Sequence, residues 1–163
     1  MCGIVGWFNP HKISDELLDA LHGPNLVQQL IHRGPSSQAF KEIDDETGTF
    51  AMLGTARLAI VGVDDGEQPV QSPCGRWWVS MNGEIYNHPT LRRECLGNEI
   101  EPRNHSDTAV VAALLSFLPL EKVIERLRGM FALAIVDRQT QSIHIFRDRS
   151  GQKPIYWTTL PDN

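Results

Sequence analysis

The chain has 163 residues, of which 41% are hydrophobic and 21% charged, and these values are typical of one globular domain. A chain of this size buries enough surface to need no disulfide or metal. Its formal net charge of -5 argues against nucleic acid or an anionic membrane surface as the main partner, since either favours a basic face. No uninterrupted apolar run approaches the roughly 20 residues of a membrane-spanning helix.

The first half of the chain predicts a buried strand, an interrupted helix and then further strands. Residues Gly3–Phe8 are apolar and flanked by glycine, which is typical of a buried strand. Ser14 can cap a leucine-bearing helix that Gly23-Pro24 interrupts, and Asn25 can cap its continuation. Further strands are predicted at residues 50–53, 58–63 and 77–81.

The second half predicts two helices and three successive strands. Ser106 or Asp107 can cap an apolar helix over residues 107–117, and an amphipathic helix over residues 120–127 ends before Gly129. Strands are predicted at residues 130–136, 142–146 and 154–157, the first two joined by a hairpin turn at 137–141. Because strands on short polar turns are antiparallel, the chain is predicted to be α+β with antiparallel sheets.

The N-terminus and the cysteines bear on the compartment. No basic residue precedes the apolar start, and Asn9-Pro10 follows too early for the core of a signal peptide. The three cysteines, Cys2, Cys74 and Cys95, are an odd number without close pairs, which suits neither a disulfide framework nor a C-x-x-C site. A reducing, cytoplasmic location is expected.

Cys2 is the first candidate for chemistry. If Met1 is removed, Cys2 has both a thiol and a free α-amine, and the amine can accept the proton of the thiol. An N-terminal nucleophile thus has its own general base, a route known for Thr and extended here to Cys. The dipeptide Cys2-Gly3 is also compatible with an incidental small residue after the start methionine, so this choice depends on the rest of the chain.

Seven segments together resemble a known family. They occur in this order: residues 1–6, 32–35, 57–61, 82–88, 106–108, 129–132 and 147–156. They closely resemble the class-II glutamine amidotransferases, and more narrowly the glutaminase domain of glutamine-dependent asparagine synthetases. Residues 82–88 have the sequence Asn-Gly-Glu-Ile-Tyr-Asn-His, whose first six residues distinguish this group from the sugar- and purine-pathway amidotransferases.

The resemblance implies a fold and a reaction. The fold is that of the N-terminal-nucleophile hydrolases, a four-layer αββα sandwich in which two antiparallel sheets lie between helical layers. The reaction is hydrolysis of L-glutamine to L-glutamate and ammonia through a thioester on Cys2. Residues 1–163 are expected to form one type-2 glutamine amidotransferase domain that lacks the last strand of the family and is not followed by a synthetase domain.

The resemblance also implies which residues hold the reacting carbonyl. Negative charge builds on its oxygen during attack, and the family's two donors match the side-chain amide of Asn82 and the backbone N–H of Gly83. The bare dipeptide Asn-Gly is equally a strong signal for a hairpin turn. Both interpretations stay open at this stage.

Charged residues are expected to bind the ends of free glutamine. Arg57 matches the α-carboxylate, because a guanidinium group can bind a carboxylate with two hydrogen bonds. Asp107, assisted by Glu84, matches the α-ammonium. Without the resemblance, Arg57 is equally a surface arginine and Asp107 a helix cap. The family further implies that the backbone after Arg57 lines the pocket, at Leu58, Ala59, Ile60 and Val61.

No cofactor is expected in this chain. The histidines form no H-x-x-x-H or H-E-x-x-H pair, so no metal site is expected either. ATP and magnesium are expected only in a synthetase partner domain or subunit that accepts the ammonia, because no pyrophosphate-binding loop or Walker motif is present. Ser36 departs from the aspartate that usually follows His-Arg-Gly-Pro, which bears on the order of that loop.

Two other functions compete with the glutaminase. One is a glutamine-binding or scaffolding module with negligible turnover, which would bind glutamine without releasing ammonia. The other is an N-terminal-nucleophile acylase for a different amide, which the combination of Asn82, Gly83, Arg57 and Asp107 argues against.

Overall fold

The computed structural model describes residues 2–9, 15–45, 48–62 and 64–159 and contains two sheets flanked by short helices. The strands are β1 (Gly3–Phe8), β2 (Ser37–Asp45), β3 (Gly48–Arg57), β4 (Val70–Gln71), β5 (Trp77–Ile85), β6 (Gly129–Asp137) and β7 (Ser142–Arg147). The helices are α1 (Asp15–Ala20), α2 (Gly23–Gln28), α3 (His88–Gly97), α4 (Asp107–Leu114) and α5 (Leu120–Arg126). None of the helices among the described residues is long and apolar enough to cross a bilayer.

The strands form a three-stranded sheet in the order β1-β3-β2 and a four-stranded sheet in the order β4-β5-β6-β7. Every pairing between neighbouring strands is antiparallel. The register pairs Gly3 with Ala56 in the first sheet and Gly83 with Phe131 in the second. The predicted α+β class with antiparallel sheets is therefore confirmed.

Two apolar clusters separate four layers. The cluster between the sheets includes Ile43, Leu53 and Val136, with Trp78 packed against it. The larger cluster lies between the second sheet and helices α3–α5. All eight residues of α4 are buried, and the last six of them belong to this cluster. A helix that is apolar on every side belongs in such a position. Helix α2 covers the outer face of the first sheet, which completes the αββα sandwich.

One polar contact joins the sheets near the end where the candidate residues lie. The hydroxyl groups of Thr55 in β3 and Ser80 in β5 are buried and 3.1 Å apart, within hydrogen-bonding distance. Side chains two residues apart on a strand point to the same face. Arg57 and Asn82 each follow this pair by two residues, so both side chains extend along the inner faces of the sandwich.

Two predicted strands are absent from the structure, and two observed strands, β2 and β4, were not predicted. Residues 58–62 form a loop instead of part of the strand expected over 58–63, and residue 63 lies outside the described residues. Residues 154–157 form no strand, and Tyr156 and Trp157 are exposed. Strand β2 was not predicted, because its polar residues hide the alternating pattern.

The predicted helix starts agree with the structure more closely in the second half of the chain than in the first. The Ser106 hydroxyl accepts a hydrogen bond from the Ala109 N–H at 3.1 Å, so Ser106 is the cap of α4 as predicted. In the first half, the predicted cap at Ser14 lies outside the described residues. Helix α2 begins at Gly23 with His22 as its N-cap, so the predicted cap at Asn25 is wrong. Pro24 fits the first turn of this helix.

Candidate functional site

Cys2 lies directly before β1, where the chain meets the end of β3. The pairing of Gly3 with Ala56 brings the residue before β1 beside the residues after Ala56. The backbone N–H of Leu58 is 3.4 Å from the Cys2 sulfur and donates to it, and the thiol lies 3.6 Å from the Leu58 carbonyl. The thiol is thus buried and held by backbone groups, while Met1 lies outside the described residues.

Asn82 and Gly83 lie inside β5, so the alternative of a hairpin turn at this dipeptide is wrong. A Cβ atom on Gly83 would collide with the carbonyl oxygen of Met130 in β6, and only glycine fits without displacing that strand. The Asn82 side chain is buried, and its Oδ1 has no hydrogen-bond partner among the described residues. Because an unpaired buried polar atom costs about 1–3 kcal/mol, such an atom is typical of a site that awaits a ligand.

Arg57 is buried at the end of β3 and shapes the loop that follows it, so it is not a surface arginine. Its Nη2 donates to the carbonyl oxygen of Val61 at 2.9 Å and to that of Gly62. These bonds explain why residues 58–62 form a loop, since the carbonyl groups bind a guanidinium group instead of a neighbouring strand.

Ser36 fastens the same loop. Its hydroxyl accepts a hydrogen bond from the Ala59 N–H at 3.2 Å, and its own N–H donates to the Arg57 carbonyl at 2.9 Å. The departure from the aspartate expected here therefore leaves the loop with two anchoring hydrogen bonds. Ala59 itself does not line the pocket, whereas Leu58, Ile60 and Val61 do.

Asp107 is the first residue of α4 and is buried against β5. Its Oδ2 accepts a hydrogen bond from the Ile85 N–H at 2.8 Å, and its Oδ1 accepts one from the Thr108 N–H at 3.0 Å. Burial raises the pKa of the Asp107 carboxyl, while the Ile85 N–H and the nearby His88 act in the opposite direction. A buried carboxylate of this kind gains much from a cationic ligand group.

These residues converge on one pocket. Nine of the ten predicted site residues line it: Cys2, Arg57, Leu58, Ile60, Val61, Asn82, Gly83, Glu84 and Asp107. The pocket therefore combines a buried thiol, an unpaired amide, two acidic groups and a guanidinium group. Such a set can bind a zwitterion and attack a carbonyl carbon beside it.

Sequence reasoning missed five residues of the pocket wall: Gly66, Gln68, Ser106, Met130 and Lys153. Gln68 is buried, and its Oε1 accepts a hydrogen bond from the Met81 N–H at 2.7 Å. No local pattern links this glutamine to β5, since the contact depends on the pairing of distant segments. Ser106, Met130 and Lys153 lie in segments that contributed to the resemblance, so the resemblance could have pointed to them.

The chain is similar to known proteins along its whole length. The model of the glutamine amidotransferase domain family matches residues 1–163. Glutamine-hydrolyzing asparagine synthetase 1 of Bacillus subtilis is 35% identical over 162 residues, which is 99% of this chain and 25% of the relative. Glutamine-hydrolyzing asparagine synthetase B of Escherichia coli is 35% identical over 157 residues, which is 96% of this chain and 26% of that protein. The chain thus spans about a quarter of the length of these relatives.

Proposed function

Because the chain belongs to the glutamine amidotransferase domain family, we propose that it hydrolyses L-glutamine to L-glutamate and ammonia through a thioester on Cys2. The observation that carries the proposal is the convergence of the Cys2 thiol, the unpaired Asn82 amide and the buried Asp107 carboxyl on one pocket. The names of the relatives, which describe glutamine-hydrolyzing enzymes, support the same substrate.

The proposed reaction begins after Met1 is removed. The Cys2 sulfur attacks the side-chain carbonyl carbon, and the thiol proton passes to the α-amine of the same residue. A carbon–sulfur bond forms, the carbon–nitrogen bond breaks, and the amine returns its proton to the departing ammonia. Water then hydrolyses the thioester, which releases glutamate and restores the thiol.

Asn82 and Gly83 are proposed to stabilise the oxygen that becomes negative during attack. The Asn82 amide would donate to this oxygen through Nδ2, and because its Oδ1 has no hydrogen-bond partner among the described residues, turning Nδ2 toward a ligand costs Oδ1 no existing hydrogen bond. Gly83 allows close approach because it has no side chain. Losing one such donor typically costs about 2.7–4 kcal/mol of transition-state stabilisation.

Substrate selection is proposed to depend on charge at the other end of glutamine. Arg57 would bind the α-carboxylate, and Asp107 with Glu84 would bind the α-ammonium. The loop at Leu58, Ala59, Ile60 and Val61 would enclose the substrate, supported by the hydrogen bond from Ala59 to Ser36. An amide without these two charged groups would lack both contacts.

The ammonia is proposed to serve an asparagine-synthetase-type amidation in a partner domain or subunit, the only part expected to need ATP and magnesium. The relatives' names and their greater length support that assignment. A reducing, cytoplasmic compartment is part of the proposal, and it agrees with the free thiols of Cys2, Cys74 and Cys95.

The glutamine analogue 6-diazo-5-oxo-norleucine tests the nucleophile directly. After incubation, intact mass and peptide mapping should show one adduct, located on Cys2, in a chain that lacks Met1. Cys2→Ala should form no adduct and release no ammonia from glutamine. Cys74→Ser is the matched control. It should form the adduct on Cys2 and release ammonia like the wild type, because Cys74 is exposed and lies outside the pocket.

Several outcomes would overturn the mechanism. Ammonia release by Cys2→Ala would exclude the thioester, and a retained Met1 on active protein would exclude the α-amine as base. Binding of glutamine without ammonia release by the processed wild type would favour the scaffolding module instead. Preference for another amide in a substrate panel would favour a different acylase.

A further inference from the structure

The segment after β7 is organised around one buried carboxylate. Asp148 accepts four backbone hydrogen bonds, from Phe131 at 3.2 Å, Ser150 at 3.1 Å, Gln152 at 3.0 Å and Lys153 at 3.1 Å. Burial by itself raises the pKa of Asp148, but the backbone donors outweigh it and hold the pKa below the usual range. The carboxylate therefore fixes the path of residues 148–153 against β6.

This path brings Lys153 to the reacting end of the pocket. The Oδ2 atom of Asp148 accepts hydrogen bonds from the backbone N–H groups of both Phe131 and Lys153. The backbone at Lys153 therefore lies beside the backbone at Phe131. Phe131 is the register partner of Gly83. Lys153 is only 4% exposed and lines the same pocket as Cys2 and Gly83.

The pocket that Lys153 lines contains both acidic and basic side chains, with Glu84 and Asp107 as the acidic ones. Among the described residues that line the pocket, Arg57 and Lys153 are the two with basic side chains. Glutamine has one carboxylate, for which Arg57 is the proposed partner. Attack by the thiol creates one further negative charge, on the carbonyl oxygen beside Gly83.

We propose that Lys153 stabilises the negative charge that develops on the substrate carbonyl oxygen, and that Asp148 is the residue that positions it. This inference depends on the proposed glutaminase function. The attraction between an ammonium group and an oxyanion is stronger in a buried pocket than in water. The interaction forms only as the charge develops, so it should raise kcat rather than lower KM.

The test compares Lys153→Met, Lys153→Arg and wild type in steady-state ammonia release. Methionine keeps the length and apolar character of the lysine stem without the charge, so kcat should fall about 10–100-fold with KM within about threefold. Arginine keeps the charge and should retain most of kcat. Lys122→Met is the matched control, because Lys122 is exposed and pairs with Glu125 on α5, and it should not change turnover.

Asp148→Asn tests the positioning role in a double-mutant cycle. If Asp148 acts through Lys153, Asp148→Asn should lower kcat in the wild type and add little to the loss already caused by Lys153→Met. Thermal unfolding of each variant separates this effect from a general loss of structure, and Lys153→Met keeps the test valid if Asp148→Asn does not fold.

The outcomes separate this inference from the proposed function. An unchanged kcat in Lys153→Met, beside an active wild type and an inactive Cys2→Ala, would overturn the inference alone. A higher KM with the same kcat would also overturn it and would assign the lysine to the substrate carboxylate. Equal losses in Lys153→Met and Lys153→Arg would show a structural role, and an inactive processed wild type would overturn both proposals.

Discussion

Gly83 lies in the second sheet at a point where the neighbouring strand leaves no room for a side chain. We expect Gly83→Ala to lower the free energy of unfolding by about 1–3 kcal/mol, because the added Cβ would meet the Met130 carbonyl oxygen. The displaced backbone should also lower kcat for ammonia release by at least about tenfold, given the sensitivity of oxyanion donors to position. Urea unfolding and steady-state kinetics measure the two effects.

Gly97→Ala is the matched control for this change. Gly97 is the last residue of α3, it is exposed, and a Cβ there meets nothing within 4 Å. Alanine has the higher helix propensity, so the stability of this variant should be unchanged or slightly raised, with normal kinetics. Normal activity in Gly83→Ala would contradict the assignment of its backbone N–H to the oxyanion.

Single residues show how far local sequence reasoning extends. Cys2 and Asp107 were identified from their motifs, and both line the pocket. The bare Asn82-Gly83 dipeptide favours a turn locally, but its pairing with β6 places it in a strand. Pairing between strands that are about 50 residues apart along the chain is outside the reach of a dipeptide rule.

The turn between β6 and β7 is built on Asp137. Its carboxylate accepts hydrogen bonds from Arg76 Nε at 2.8 Å and Nη2 at 2.6 Å, from the Gln139 N–H at 2.9 Å and from the Thr140 hydroxyl at 2.8 Å. Burial by itself raises the pKa of Asp137, but these donors, Arg76 foremost, lower it to about 2. The predicted turn at residues 137–141 is confirmed, and it is also anchored to the start of β5.

This pKa gives a prediction with a definite sign. Because the pKa of Asp137 is lower in the folded chain than its usual 3.8, its stabilising contribution is full above about pH 4 and is lost as the pH falls toward 2. Asp137→Asn should therefore lower the free energy of unfolding by about 2 kcal/mol at pH 7, with a smaller difference at pH 3. Urea unfolding at pH 7, 4 and 3 measures this.

Glu101→Gln is the control for a general effect of charge removal, since Glu101 is exposed. It should leave the stability unchanged at each pH within about 0.5 kcal/mol. A difference between wild type and Asp137→Asn that stays constant from pH 7 to pH 3 would contradict the assignment of the lowered pKa to this turn.

Elements with a clear apolar pattern could be predicted, and those shaped by a distant side chain could not. Strand β1 has its predicted bounds, and α4 begins at Asp107 as predicted but ends at Leu114 instead of residue 117. Both are found because their apolar residues have one place to be buried. The strand expected over residues 58–63 has the same apolar composition, but the buried Arg57 side chain binds its carbonyl groups and bends it into a loop. That competition depends on the burial of one arginine, which the local pattern does not show.

The pocket draws its walls from every layer except α2. The lining residues are Arg57 of the first sheet with Cys2 directly before its strand β1, Asn82 and Gly83 of the second sheet, Asp107 of α4, and Lys153 after the last strand. The family resemblance predicted a shared site for these residues except Lys153, which it did not single out. Composition and periodicity could not predict that site, since the meeting point depends on how two sheets and a helix stack.

A ligand that contacts several layers should stabilise the whole domain, and this gives a test of binding without turnover. In Cys2→Ala, which cannot form the thioester, L-glutamine at 100 times its dissociation constant should add about 2.7 kcal/mol of stability. For a domain of this size that corresponds to a rise in Tm of about 5–10 °C in differential scanning calorimetry.

The double variant Cys2→Ala with Asp107→Asn should lose most of this rise in Tm, because the α-ammonium of glutamine would lack its partner. L-asparagine, one methylene shorter, should produce little shift, since its amide cannot reach Asn82 while its charged groups bind Arg57 and Asp107. If the double variant with L-glutamine, or Cys2→Ala with L-asparagine, showed the same rise in Tm as Cys2→Ala with L-glutamine, the assignment of both ends of the substrate to this pocket would be contradicted.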